Sequence, residues 1–385
     1  MAGTFALRAS SNMFSTNLPL VARELFDFSD ALVGILTGIV ALAGFISLTF
    51  VNARLRSVWR RRLFIASAFI YGAVFSFIPL GGYFGVWFLS ITAGFFLQLI
   101  STNQTNASGI LGKTGSGRER VITLYTVILS ASLVVGPLIN SAILAHVSLD
   151  FSFAAFAFFP VGAAVLSLLI PVPRESSTVV PNEVAEKANQ EVKPVGSFRH
   201  TWRNRGFQAA VFIYAMYGIP FAALVSFGGL FSHEYYNASN ASVQLYFVIF
   251  FGISFLFRAI MLFAKKINIR AMILASIFLT LLGVMMLVTI INPISYAIAL
   301  AVLGIPHGLT FPTSLIVISR SSDESRRNAL NSYFGSSYAM ISVLTPLLMG
   351  LLADQFGLRY AFGALVISIA VFSYLILRKW DAIED

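Results

Sequence analysis

The sequence predicts an all-α polytopic membrane protein, with twelve transmembrane helices arranged as two pseudo-symmetric six-helix bundles. Three observations predict it. The chain is 57% hydrophobic and only 11% charged over 385 residues, whereas a soluble domain carries about 25% charge, so lipid must solvate most of its surface. The apolar residues fall into runs long enough to cross a hydrocarbon layer of ~30 Å as helices, not into the ten-residue alternating segments of a barrel. The basic residues cluster between alternate runs.

The expected spans, in order, are 2–24, 31–53, 63–80, 84–106, 121–145, 151–171, 206–232, 241–264, 270–291, 294–318, 328–353 and 358–378. The first lacks a basic leader followed by a small-residue cleavage site, so it is read as a retained span. Many spans contain Gly, Pro, Ser or Thr, which helix neighbours tolerate in lipid and which permit close packing. With the N-terminus inside, the inner loops hold Arg54, Arg56 and Arg60 to Arg62 after the second span. After the fourth come Lys113, Arg118 and Arg120. Arg174, Lys187, Lys193, Arg199, Arg203 and Arg205 follow the sixth, and Lys265, Lys266 and Arg270 the eighth. Arg320, Arg326 and Arg327 follow the tenth, and Arg378 and Lys379 the last. That is 22 of the 26 Lys and Arg residues. Arg23 and Arg359 are left outside, and Arg8 and Arg258 lie within spans. The net charge of +10 is therefore a positive-inside signature with both termini cytoplasmic, not a nucleic-acid surface. The expected setting is the plasma membrane.

The only long polar segment, 172–205, divides the chain into an N-terminal bundle (1–171) and a C-terminal bundle (206–385). Its first part reads as a linker. Its second, GSFRHTWRNRGF, is basic with Phe198 and Trp202 and is expected on the inner membrane surface. A shift of 209 residues superposes Gln98 on His307, Arg118 on Arg327, Pro137 on Pro346 and Leu138 on Leu347. An internal repeat of about half the chain would place Gln98 and His307 at equivalent positions.

His307 lies near the centre of the tenth span, between Pro306 and Gly308. An imidazole at that depth marks a functional site, or else a hydrogen bond to a neighbouring helix. No span contains Asp or Glu except at an outer end. The buried charges are positive, at Arg8, Arg258 and potentially His307. Arg grips carboxylate or phosphate bidentately, which favours an anionic or neutral solute over a cation; the alternative for both arginines is snorkelling to the inner surface. His307 is the one deep group whose ordinary titration range suits proton coupling. With no Cys and four dispersed His residues, no metal site, cofactor or enzymatic centre is expected. The sequence SGILGKTGSG lacks the spacing of a phosphate loop and ends a membrane helix, so a nucleotide-driven pump is excluded.

Twelve spans, two halves, a long central loop and both ends inside resemble the major facilitator superfamily. Its short motifs are altered here. The loop after the second span reads NARLRSVWRRR, keeping the basic end at Arg60 to Arg62 without the family's Asp, and RAIMLFAKKINIR after the eighth also lacks it. Gly136-Pro137 in the fifth span is similar to an element of exporters. The resemblance implies a cavity lined chiefly by the first, fourth, seventh and tenth spans, with parts of their neighbours, and Arg258 lies at a place that resembles the eighth-span Arg of the superfamily's anion carriers. Candidate substrate residues are therefore Arg8, Asn12, Gln98, Thr102, Tyr214, Tyr217, Arg258, His307 and Thr310, some of which could serve only as helix glue. It also implies a lipid-embedded functional monomer that moves a small organic anion or polar neutral metabolite by alternating access, with a proton as candidate coupling partner. The alternatives are a proton-coupled exporter of hydrophobic compounds, in view of the 37 Phe, and a non-transporting sensor.

Overall fold

The computed structural model describes residues 2–51, 57–110, 115–169, 201–264, 268–289, 292–321 and 324–383. Side chains at 102–110, 115–127 and 324–329, among others, lie outside that description. The described residues form twelve long helices and no strand. They are α1 (Ala2–Glu24), α2 (Asp30–Ile46, continued by a π-turn at Ser47–Val51), α3 (Ser57–Phe77), α4 (Gly82–Ile110), α5 (Gly115–Leu144) and α6 (Leu149–Leu169). The second half comprises α7 (Arg205–Tyr236), α8 (Asn240–Phe263), α9 (Ile269–Thr289), α10 (Pro293–Arg320), α11 (Glu324–Phe356) and α12 (Leu358–Leu377). Ten are long and apolar enough to cross a membrane among the described residues. The other two are α1, which is rich in polar groups, and α5, of which the stretch Ile128–Leu144 is the part whose side chains are described.

Helices run beyond the expected spans where they leave the hydrocarbon. The expected 84–106 becomes Gly82–Ile110, and 328–353 becomes Glu324–Phe356, which takes in Asp354. A span read from apolar residues stops where water begins, but backbone hydrogen bonding does not. Local chemistry sets several ends. Asn204 caps α7 by accepting from the Phe207 amide at 2.8 Å, and Asn237 closes it in the left-handed conformation, with φ of 49°. Asn292 caps α10 by accepting from Ile294 and Ser295, with Pro293 at the first helical position. The linker expected at 172–205 lies almost wholly outside the described residues.

The packing repeats at an interval of six helices. In the first half α1 packs on α5 and α6, α3 on α6, and α4 on α2 and α3. In the second, α7 packs on α11 and α12, α9 on α12, and α10 on α8 and α9. Reciprocal contacts join the halves, α2 with α11 and α5 with α8, and α1 meets α7 on the axis between them. Outward-facing side chains such as Phe84, Phe158, Phe278 and Ile367 are largely exposed. A soluble protein would hide that much apolar area; here it is the lipid face.

The ends joined by the loops after α2, α4, α6, α8 and α10 carry most of the Lys and Arg; this is the basic end. At the far end the connections are short and the halves are latched together. Glu24 at the end of α1 accepts from Asn240 Nδ2 at 3.0 Å and lies 3.4 Å from His233 Nε2. Ser141 of α5 donates to the Ala241 carbonyl at 2.8 Å. Deeper in, Asn17 accepts from Gln244 at 2.7 Å and from Asn140 at 3.3 Å, while Thr16 donates to Gln244 at 3.3 Å. Gly34 of α2 lies back to back with Gly350 of α11. A β-carbon on Gly350 would stand 2.9 Å from the α-carbon of Gly34. Asp30, at the start of α2, is buried and paired with Arg23 at 2.7 Å, so this acid lies at the far end rather than in the interior.

Candidate functional site

The site is built on the crossing of α8 and α10. Gly304 and Gly308, four residues apart, present a flat face to α8. An added β-carbon would stand 2.5 Å from the Phe250 carbonyl at the first and 2.6 Å from the Ser254 carbonyl at the second. That close approach places Arg258 beside the turn that carries His307. Arg258 Nη2 donates to the His307 carbonyl at 3.3 Å, and its buried Nε finds no acceptor among the described residues. Pro306, two residues after Gly304, cannot donate to the helix ladder, so the Val302 carbonyl one turn back lacks its helical donor. Tyr217 of α7 donates to the neighbouring Leu303 carbonyl at 3.2 Å.

The His307 imidazole is walled by rings. Phe221 stacks on it with centroids 4.2 Å apart; Phe250 lies at 5.1 Å, and Phe251 and Tyr217 at 5.7 Å. One turn on, Phe311 packs against Tyr214 and Phe334, and Tyr214 against Tyr338. Phe311 and Tyr338 remain about two-fifths exposed. The C-terminal half thus offers an aromatic wall drawn from α7, α10 and α11. Across from it, Arg8 of α1 is close enough to act electrostatically on both Arg258 and His307. Three basic groups from opposite halves therefore share one region.

The other candidates divide. Asn12 is buried and donates to the Leu133 carbonyl of α5 at 3.3 Å, a contact within the N-terminal half. Thr310 is buried and its hydroxyl donates to the Pro306 carbonyl of its own helix. Gln98 lies where α4 crosses α2, its β-carbon 3.5 Å from the position a β-carbon on Gly44 would take. Thr102 belongs to α4, but its side chain lies outside the described residues. The buried amides Asn17 and Gln244 were not singled out in the sequence, although each interrupts an apolar span with a group that must find a partner. Among the described residues no group of His, Cys, Asp and Glu is arranged to hold a metal.

Sequence comparison with family models matches the Major Facilitator Superfamily over residues 1–300 and 234–381. The chain belongs to that superfamily. No curated sequence matches it. Among solved structures it is similar to a bacterial homolog of the human lysosomal transporter Spinster in an inward-facing, occupied conformation, at 14% identity and a TM-score of 0.72, covering 98% of this chain and 96% of that one. It is also similar to the nucleoside transporter NupG, at 14% identity and a TM-score of 0.70 over 100% of this chain and 98% of that one. A D-xylose-proton symporter follows, at 12% and 0.70 over 97% and 95%. At such identities these likenesses establish the fold of a superfamily transporter and leave the cargo to the residues of the site.

Proposed function

We propose that the protein carries a small organic anion across the cytoplasmic membrane by alternating access, binding it between Arg8 and Arg258. The carrying observation is the Arg258 guanidinium, whose buried Nε has no acceptor among the described residues, while Arg8 of the other half acts on it electrostatically. Two cations that act on each other between the halves call for negative charge, and a carboxylate or phosphate accepts bidentately from such groups. The superfamily's rocking halves would carry that anion from one face to the other. The basic end is read as cytoplasmic by the positive-inside rule, so both termini are cytoplasmic. The latched far end then supports an inward-facing state. A proton is a candidate coupling partner through His307, and a polar neutral metabolite is the neighbouring cargo class.

A second reading, export of hydrophobic compounds, is favoured by the half-exposed rings of Phe311 and Tyr338. Thermal unfolding of the purified protein separates the two. Carboxylates, phosphate, nitrate, sugars, amino acids and cationic dyes are compared at pH 5 and pH 7.5. A ligand at about 100 times its Kd adds about 2.7 kcal/mol to stability. Stabilisation by an anion that disappears in Arg258→Ala supports the proposal. Stabilisation by cationic dyes alone, unchanged in that variant, overturns it in favour of lipophilic export.

A further inference from the structure

A second cationic pocket lies away from the central site, at the basic end where α7 begins and α12 ends. It encloses about 420 Å³ and is lined by Arg205, Arg378 and Lys379, with Trp202 and Gln208 beside them and Phe212 and Leu375 as apolar floor. We infer that this pocket binds the phosphodiester headgroup of an anionic phospholipid.

Charge is the first ground. Asp381 pairs with Arg205 at 2.6 Å and offsets it, but no carboxylate among the described residues pairs with Arg378 or Lys379. Two uncompensated cations converge on one concavity, and a basic pocket between helix ends at the membrane surface suits an anionic headgroup. Solvated cations alone would need no pocket and no floor, and this pocket has both. Depth is the second ground. Trp202 packs edge-on against Phe207 and Phe212, the placement of an interfacial aromatic. Below it, Phe212 and Leu375 run toward the lipid-facing side of α12, where Tyr374 and Leu377 are more than half exposed. Polar groups above and a continuous apolar surface below match a lipid better than a free phosphate, which has no use for the floor. Both helices belong to the C-terminal half, so the lipid would brace that half without bridging to the other.

The test uses the full-length protein, delipidated in detergent, with phosphatidylglycerol, phosphatidylcholine or inorganic phosphate added. Native mass spectrometry counts retained lipid. The wild type is expected to retain phosphatidylglycerol about tenfold better than phosphatidylcholine. Arg378→Gln/Lys379→Gln is expected to abolish the preference, Lys379→Gln to reduce it, and Asp381→Asn, which releases Arg205, to raise it. Should the double variant fail to purify, the opposite responses of the two single variants decide. Equal retention of both lipids, or a preference indifferent to all three variants, overturns the inference. So does inorganic phosphate alone stabilising the wild type with this variant pattern while phosphatidylglycerol adds nothing, since the site would then bind a soluble anion.

Discussion

Arg258 donates to the backbone carbonyl of His307 at 3.3 Å, so the imidazole near the centre of α10 and a cation of the neighbouring α8 are tied together through the main chain. The tie exists because Gly308 lets α8 approach α10 to backbone contact. Any side chain at 308 would push Arg258 away. Gly308→Val is expected to abolish ligand-dependent stabilisation and to lower stability by at least the 1–3 kcal/mol typical of overpacking, as read by thermal unfolding with and without ligand.

The two guanidinium groups should act as a unit on the cargo. Arg258→Gln and Arg8→Gln each remove one charge-assisted partner, worth about 1.5–3 kcal/mol, so each should weaken anion binding roughly tenfold to a hundredfold. Because the groups also repel each other without a ligand, the double variant should lose less than the sum of the two single losses. Isothermal titration of the four proteins forms the cycle; strictly additive losses would mean the two arginines do not share one ligand.

The fold was legible in the sequence because its signals are collective. Apolar run length, the segregation of basic residues and the offset linking Gln98 to His307 each average over many positions. Of the candidate site, sequence picks out only residue types that are rare in lipid, as at Arg8, Arg258 and His307. Tyr214 and Tyr217 were visible as polar aromatics, but the ring wall they join depends on which faces of α7, α10 and α11 meet. Nor does sequence show that the Thr310 hydroxyl is used by its own helix, a local hydrogen bond available to any Thr in a helix. Thr310→Val should accordingly leave anion affinity within about threefold of wild type, checked by the same titration.

Closure of the far end rests on backbone contact between α2 and α11 as well as on polar latches. A β-carbon at Gly34 would collide with the Pro346 carbonyl, and one at Gly350 with the Asp30 carbonyl. Gly350→Val should therefore disfavour the far-end-closed state. The chain has no native cysteine, so a single Leu20→Cys, placed where Leu20 packs on Gly229 between the halves, reports on that closure without background. Its labelling by a membrane-impermeant maleimide applied from the far side should rise severalfold when Gly350→Val is added. Unchanged labelling would mean this crossing does not open in the cycle.

The Glu24 carboxylate joins three helices, contacting His233 of α7 and Asn240 of α8 from the end of α1. It is partly exposed, and an exposed pair of this kind contributes less than about 1 kcal/mol. That small value suits a gate, which must be broken in every cycle without a large barrier. Glu24→Gln keeps the shape and an acceptor for Asn240 but removes the charge facing His233, so overall stability should change by less than about 1 kcal/mol. Far-side labelling of Leu20→Cys should nevertheless increase, by up to about fivefold, the ratio equivalent to 1 kcal/mol. Unchanged far-side labelling in Glu24→Gln would mean that this contact does not hold the far end closed.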